Sequence, residues 1–225
     1  MKQSSVLFFF VGSLFVIGCG HTNKLAQYKL RAQPFEMYSG SNTTASASSD
    51  INGSPHNVTS DIVAGLTSGS LSQETTEKLR RAANSDSLAA EIGRSFDRAL
   101  MTYLAVPQGR AYDPKALYRA ETQLQSYSLT SDSTGVAAHI SATSRIIERS
   151  TGILIWQYTS SKDILLTSSS SSIAGARAMM SAVNAATLAG MSEHEMASIF
   201  YSAAAQVGSD IAETLRSDVA DLSQH

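Results

Sequence analysis

The hydrophobic pattern between residues 120 and 167 most constrains the fold, because it repeats every two residues while the segments on either side repeat every three or four. In one stretch the even-numbered positions are mainly apolar: Val136, Ala138, Ile140, Ala142, Ser144 and Ile146. The odd-numbered positions are mainly polar: Ala137, His139, Ser141, Thr143 and Arg145. Successive side chains of a strand point to opposite faces, so this alternation predicts a half-buried antiparallel strand.

Two glycines mark the ends of this strand. The tripeptide Ser-Thr-Gly precedes it, ending at Gly135, and recurs after it, ending at Gly152. Glycine readily adopts the positive φ that tight hairpins require. We therefore predict a three-stranded meander over residues 122–130, 136–148 and 153–166.

Helical periodicity surrounds the predicted meander. Apolar residues recur at intervals of three and four over residues 86–104 and again from residue 192 to about residue 219, which predicts two amphipathic helices. Ser192 and Glu195 have the spacing of a capping box at the start of the second. Shorter helices are predicted over residues 70–81 and 173–190.

The segment before the first helix is predicted to be extended and then flexible. Residues 25–38 contain scattered apolar side chains and Pro34, which is tolerated at a sheet edge. Residues 39–60 are rich in Ser, Thr, Asn and Gly, and so have little apolar surface to offset the entropy of ordering. We expect a flexible loop there.

These elements predict one α+β domain, in which an antiparallel sheet of three or four strands has helices packed on one face. The domain is expected over residues 61–225. Residues 1–18 are predicted to be a signal peptide, and residues 19–60 to hold a lipidated cysteine, the extended segment and the Ser-rich loop.

The N-terminus has the organisation of an export signal. Lys2 precedes residues 6–17, which are apolar except for Gly12 and Ser13. Twelve residues span only about 18 Å as a helix, well short of the ~30 Å hydrocarbon core of a bilayer. This stretch is therefore predicted to be a signal-peptide hydrophobic region and not a permanent transmembrane helix.

The only cysteine of the chain stands where this leader ends. The four residues that close the leader resemble the lipobox of bacterial lipoproteins: Val16, Ile17, Gly18 and Cys19. The resemblance implies cleavage before Cys19, a thioether-linked diacylglycerol on its sulfur and an amide-linked third chain. Two or three acyl chains hold a protein at a bilayer essentially permanently. The alternative is an ordinary signal peptide, or an uncleaved anchor, with an incidental cysteine.

The residue after Cys19 bears on which membrane the lipoprotein is attached to. By analogy with enteric bacteria, an Asp at this position would favour retention in the inner membrane, but the chain has Gly20. We therefore expect attachment to the outer membrane, facing the periplasm.

Charge and motif content exclude several classes of function. The 17 basic and 19 acidic residues form no long run of either sign, which argues against nucleic-acid binding. The five histidines have no metal-site spacing, so we predict no metal and no cofactor. Neither a G-x-S-x-G elbow nor a glycine-rich phosphate loop is present, and we predict no catalytic residues and no enzyme.

Trp156 is the only tryptophan. We expect it to anchor the core or one face of the sheet, and a contact with a partner protein is the alternative.

A wider resemblance follows from the order of these elements. A lipobox, a helix, two strands joined by a turn that runs from Thr151 and Gly152 into Trp156, and a C-terminal helix are similar to several α+β envelope lipoproteins. These are the transport-auxiliary, curli-secretion and penicillin-binding-protein-activator lipoproteins. The resemblance implies an accessory, partner-binding subunit of an envelope transport or assembly system. The alternatives are a periplasmic hydrolase and a carrier of apolar ligands.

Overall fold

The computed structural model describes residues 21–49, 68–107, 113–168 and 174–222. These residues form six strands, four α-helices and a single 3₁₀ turn at Leu25–Gln27. The strands are β1 (Thr22–Asn23), β2 (Phe35–Ser41), β3 (Ser46–Ser49), β4 (Tyr118–Ser131), β5 (Gly135–Glu148) and β6 (Leu154–Ser168). The helices are α1 (Ser68–Ala82), α2 (Ser85–Tyr103), α3 (Ala174–Gly190) and α4 (Glu193–Asp221).

The predicted meander is confirmed. β4, β5 and β6 pair antiparallel in chain order, and the predicted register of faces is correct. The even-numbered residues of β5 from Val136 to Ile146 are at most 2% exposed. The odd-numbered residues from His139 to Arg145 are partly exposed, so one face of the strand is buried and the other meets solvent.

Both predicted hairpin glycines have a steric reason. Gly152 has φ of 72°, in the left-handed region that favours glycine. Gly135 lies so close to β6 that an added Cβ would stand 1.9 Å from the carbonyl oxygen of Thr167. A larger residue at either position would strain its hairpin.

The sheet is larger than predicted and is mixed, not purely antiparallel. Its order is β1-β6-β5-β4-β2, and β3 also pairs with β4. β2 and β3 both run parallel to β4, along successive parts of its length. The prediction of three or four antiparallel strands is therefore wrong, because a parallel partner distant in sequence leaves no local turn signal.

Part of the segment predicted to be a flexible loop is ordered in the sheet. Residues 39–41 belong to β2, and residues 46–49 form β3. Ala45 and Ala47 are buried, and the Ala47 N–H donates to Thr76 Oγ1 of α1 at 3.0 Å. Small side chains let this strand fit against a helix. The fold thus begins well before residue 61.

The helices pack on one face of the sheet, as predicted. Phe96 of α2 stacks on Trp156 of β6, with ring centroids 5.4 Å apart. Ser160 of β6 donates to Asp210 Oδ2 of α4 at 3.2 Å. The Tyr127 hydroxyl of β4 donates to the Ala83 carbonyl, just after α1, at 3.0 Å. All three strand residues lie on the buried face.

The two predicted long helices begin close to where the sequence places them. α2 is capped by Asn84, whose side chain accepts the Ser87 N–H at 3.1 Å. The capping box of α4 is confirmed, since Ser192 Oγ accepts the Glu195 N–H and Glu195 accepts the Ser192 N–H. Among the described helices, none is both long enough and apolar enough to cross a membrane.

One prediction tests the assignment of faces. Ile140→Asp places a carboxylate without a partner in the fully buried interface between β5 and the helices, which should cost several kcal/mol. Urea unfolding of the chain from residue 20 onwards, compared with the parent, measures this loss.

Ser141→Asp is the matched control, because Ser141 is the next residue of the same strand and lies on the partly exposed face. Its midpoint should change little. Equal losses in the two variants would contradict the assignment.

Candidate functional site

The predicted lipidation and cleavage residues lie outside the described residues: Val16, Ile17, Gly18 and Cys19. Their prediction therefore stands on the sequence alone. The structure describes the chain from His21, two residues after Cys19, and His21 is already attached to the folded domain.

His21 is held by a buried carboxylate of the last helix. His21 Nε2 lies 2.7 Å from Asp218 Oδ2, and Trp156 Nε1 donates to the same oxygen at 2.6 Å. The following residues pair with β6, and the Lys24 N–H donates to the Ile155 carbonyl at 2.8 Å. The start of the described chain is thus joined both to the sheet and to α4.

Trp156 is a core residue and not an exposed partner contact. Its side chain is fully buried, stacked on Phe96 and hydrogen-bonded to Asp218. This corrects the alternative that Trp156 meets a partner protein. The indole has a large apolar ring system and one N–H donor. The ring packs on Phe96 and the N–H donates to Asp218, so both interact within the fold.

The face of the sheet opposite the helices is covered by no described helix, and we call it the uncovered face. It carries a polar depression of about 180 Å³. It is lined by residues of β2, β4, β5 and the loop after β2: Tyr38, Gly40, Asn42, Glu121, Thr122, Gln123 and Arg145. Tyr38, Glu121 and Arg145 are register partners on three adjacent strands. These three lining residues therefore stand in a single row across the sheet.

Glu121 organises the charges of this depression. Its side chain is only 10% exposed, and Arg145 Nε donates to its Oε2 at 2.5 Å. Arg119 Nε lies 2.5 Å from Oε1 as an ion pair, with an angle unsuited to a hydrogen bond. Two guanidinium groups around one carboxylate leave an excess of one positive charge.

Tyr38 lies at the edge of the depression. The residue is 61% exposed, although its side chain is aromatic. A Cβ added at Gly40 would stand 2.5 Å from Tyr38 Oη, so the ring lies over the glycine backbone. Gly40 thereby leaves room for the tyrosine along the sheet surface.

Other ionisable groups do not converge on a catalytic arrangement within the described part of the chain. His139 Nδ1 lies 2.7 Å from Asp163 Oδ1 on the exposed face. No group of three or more His, Cys, Asp or Glu side chains that could hold a metal occurs in the described ranges. Burial raises the pKa of Asp97, on α2, to about 6, but Asp97 does not line the depression.

No motif in the sequence marks the residues of the depression. The alternation that predicted β5 does place Arg145 on the polar face, and similar alternation is present around Glu121 in β4. What brings Tyr38 beside them is the parallel pairing of β2 with β4, over more than 80 residues of sequence separation. Only knowledge of that pairing could have revealed the site.

No family model matches the sequence, and no curated protein matches it. Among solved structures, a DUF330-family protein from Xanthomonas campestris is 14% identical with a TM-score of 0.33. The match covers 61% of this chain and 66% of that protein. This chain therefore spans just under two thirds of the length of that protein. The PelC dodecamer of Paraburkholderia phytofirmans is 12% identical with a TM-score of 0.28, covering 86% of this chain and 95% of PelC.

A third structure is lipoprotein GNA1162 from Neisseria meningitidis, which is 14% identical with a TM-score of 0.23. The match covers 70% of this chain and 99% of that protein. Because the three TM-scores lie below 0.5, these similarities support no conclusion about the function of this chain. The function must be inferred from its own residues.

The raised pKa of Asp97 generates a prediction. Above pH 6 the ionised Asp97 destabilises the fold, because the same carboxyl titrates near 3.8 when unfolded. The penalty disappears as the pH falls from 6 towards 4. Asp97→Asn should therefore stabilise the protein at pH 7.5 by roughly 1–3 kcal/mol, and by much less at pH 4. Urea midpoints at both pH values measure the difference.

Asp86→Asn is the control on the same helix, since Asp86 is exposed in its first turn. It should not become more stable at pH 7.5. A gain for Asp97→Asn that is the same at both pH values would show that burial of the charge is not its cause.

Proposed function

We propose that the chain is the precursor of a bacterial lipoprotein, cut before Cys19. Its mature domain is a non-enzymatic, partner-binding accessory subunit of a cell-envelope transport or assembly system. The domain is attached to the outer membrane and faces the periplasm. The observation that carries the proposal is the position of the only cysteine, which ends the apolar leader and lies two residues before the attached His21.

The length of the connection supports a membrane-apposed domain. Two residues span at most about 7 Å, so a lipid on Cys19 would hold the domain close to the bilayer surface. The Ser-rich segment does not separate them, because β1 begins only three residues after Cys19 and residues 39–41 and 46–49 lie in the sheet.

The uncovered sheet face supports partner binding. β4, β5 and β6 are 14 or 15 residues long, and their polar face includes the charged depression. A scaffold with one face covered by helices leaves the other available for contacts.

The two alternatives have less support. A hydrolase needs convergent ionisable groups, usually with perturbed pKa values, and the raised pKa of Asp97 has burial as its cause. A carrier of apolar ligands needs an apolar cavity between sheet and helices. Large side chains occupy that layer, among them Trp156, Phe96 and Phe200, each fully buried.

Replacement of the cysteine tests the anchor. Cells that produce Cys19→Ala are labelled with a clickable fatty acid and fractionated. We expect loss of both label and membrane association, whereas Ser13→Ala, within the leader, should keep both. If Cys19→Ala keeps both the label and its place in the membrane, the lipoprotein proposal is wrong.

Site-specific cross-linking tests the partner. A photo-reactive amino acid at Ser161, exposed on the uncovered face, should trap one defined envelope protein in intact cells. The same group at Ser209, exposed on α4, should not trap that protein. Recovery of the monomer alone from Ser161 would contradict partner binding through this face.

A further inference from the structure

The arginines of the depression have hydrogen-bonding capacity that the described protein does not use. A guanidinium group has five N–H donors, of which Nε accounts for one. Arg119 and Arg145 direct Nε at Glu121, and within the described residues their Nη atoms donate to no protein group. Their side chains are 44% and 39% exposed, so solvent reaches them.

The fixed orientation and net charge of this group favour a carboxylate ligand. Glu121 contacts both guanidinium groups and so restricts their motion, while neutralising only one of their two charges. The planar fork of arginine donors matches a carboxylate in a bidentate manner. Glu36, the register partner of Arg119, does not compensate the excess, since its carboxylate is paired with Arg149 at 3.1 Å.

The other lining residues favour a sugar ring. The exposed ring of Tyr38 offers an apolar surface for the C–H face of a pyranose, and Gly40 allows the ring to lie along the sheet. Asn42 and Gln123 contribute amide donors and acceptors for hydroxyl groups. Tyr38 and Arg145 are two strands apart, about 10 Å, so one acidic sugar can contact both.

We propose that the depression binds an acidic saccharide, with its carboxylate on the Nη groups of Arg119 and Arg145 and its ring on Tyr38. This goes beyond the proposed function, because the site contains no part of the lipid anchor. An acidic peptide is the competing ligand that the test must exclude, since it offers carboxylates without a sugar ring.

Calorimetric titration of the mature protein in detergent micelles tests the proposal. Trigalacturonate should bind, with an affinity that falls as salt increases, and neutral maltotriose should bind at least about tenfold more weakly. Arg145→Gln and Tyr38→Ala should each weaken trigalacturonate binding by about tenfold or more, the effect of losing about 1.4 kcal/mol. Gly40→Ala should also weaken it, by displacing the Tyr38 ring.

Arg94→Gln is the matched control, because Arg94 is exposed on α2 and pairs with Glu91. It should bind like the parent. Because Arg145→Gln also disturbs Glu121, the decisive variant is Tyr38→Ala, which removes an exposed side chain. The proposal is overturned if trigalacturonate does not bind, if Tyr38→Ala binds it unchanged, or if triglutamate binds equally well. Each result is independent of whether Cys19 is lipidated.

Discussion

Burial of a single face of the β4–β6 meander is the constraint on which the rest of the structure depends. Apolar side chains alternate along these strands, so the sheet has one face that must leave water and one that need not. α2 and α4 cover the first. The two helices approach each other closely at Gly208, where an added Cβ would stand 3.0 Å from the Ile92 carbonyl oxygen. The second face remains available for polar chemistry.

Asp218 connects this core to the start of the described chain. Its carboxylate is nearly buried, and one oxygen receives both the indole of Trp156 and the imidazole of His21. Hydrogen bonds to a buried charged group are stronger than neutral ones, and their loss leaves that group unsatisfied. The carboxylate that holds Trp156 in the core therefore also holds His21, next to the point at which the N-terminal segment joins the sheet.

The parts of the fold that the sequence predicted are those with local causes. Each of these features depends only on residues that are close together in the sequence. They are the alternation over Val136–Ile146, the glycines of the two hairpins and the Ser192 capping box. The parallel strands have no such signal, since β3 contains only Ser and Ala and pairs with β4 about 80 residues later.

A β-bulge between Leu124 and Ser126 was equally hidden from a simple alternation rule. It shifts the buried face of β4 from even residues such as Leu124 to odd residues such as Tyr127. The charged depression depends on the parallel pairing of β2 with β4. Arg145 lay within a predicted strand, whereas Arg119 and Glu121 stand just before the predicted start at residue 122. Their meeting with Tyr38 required the pairing of β2.

The central claim is that a lipid on Cys19 holds the domain against the bilayer without a spacer. Neutron reflectometry of the mature protein on a supported bilayer measures the separation directly. Protein density is predicted to begin within about 10 Å of the headgroups, because two residues reach only about 7 Å. Insertion of twenty Gly/Ser residues between Gly20 and His21 should move it outward by roughly 25 Å. A hydrated gap of that size without the insertion would contradict the account.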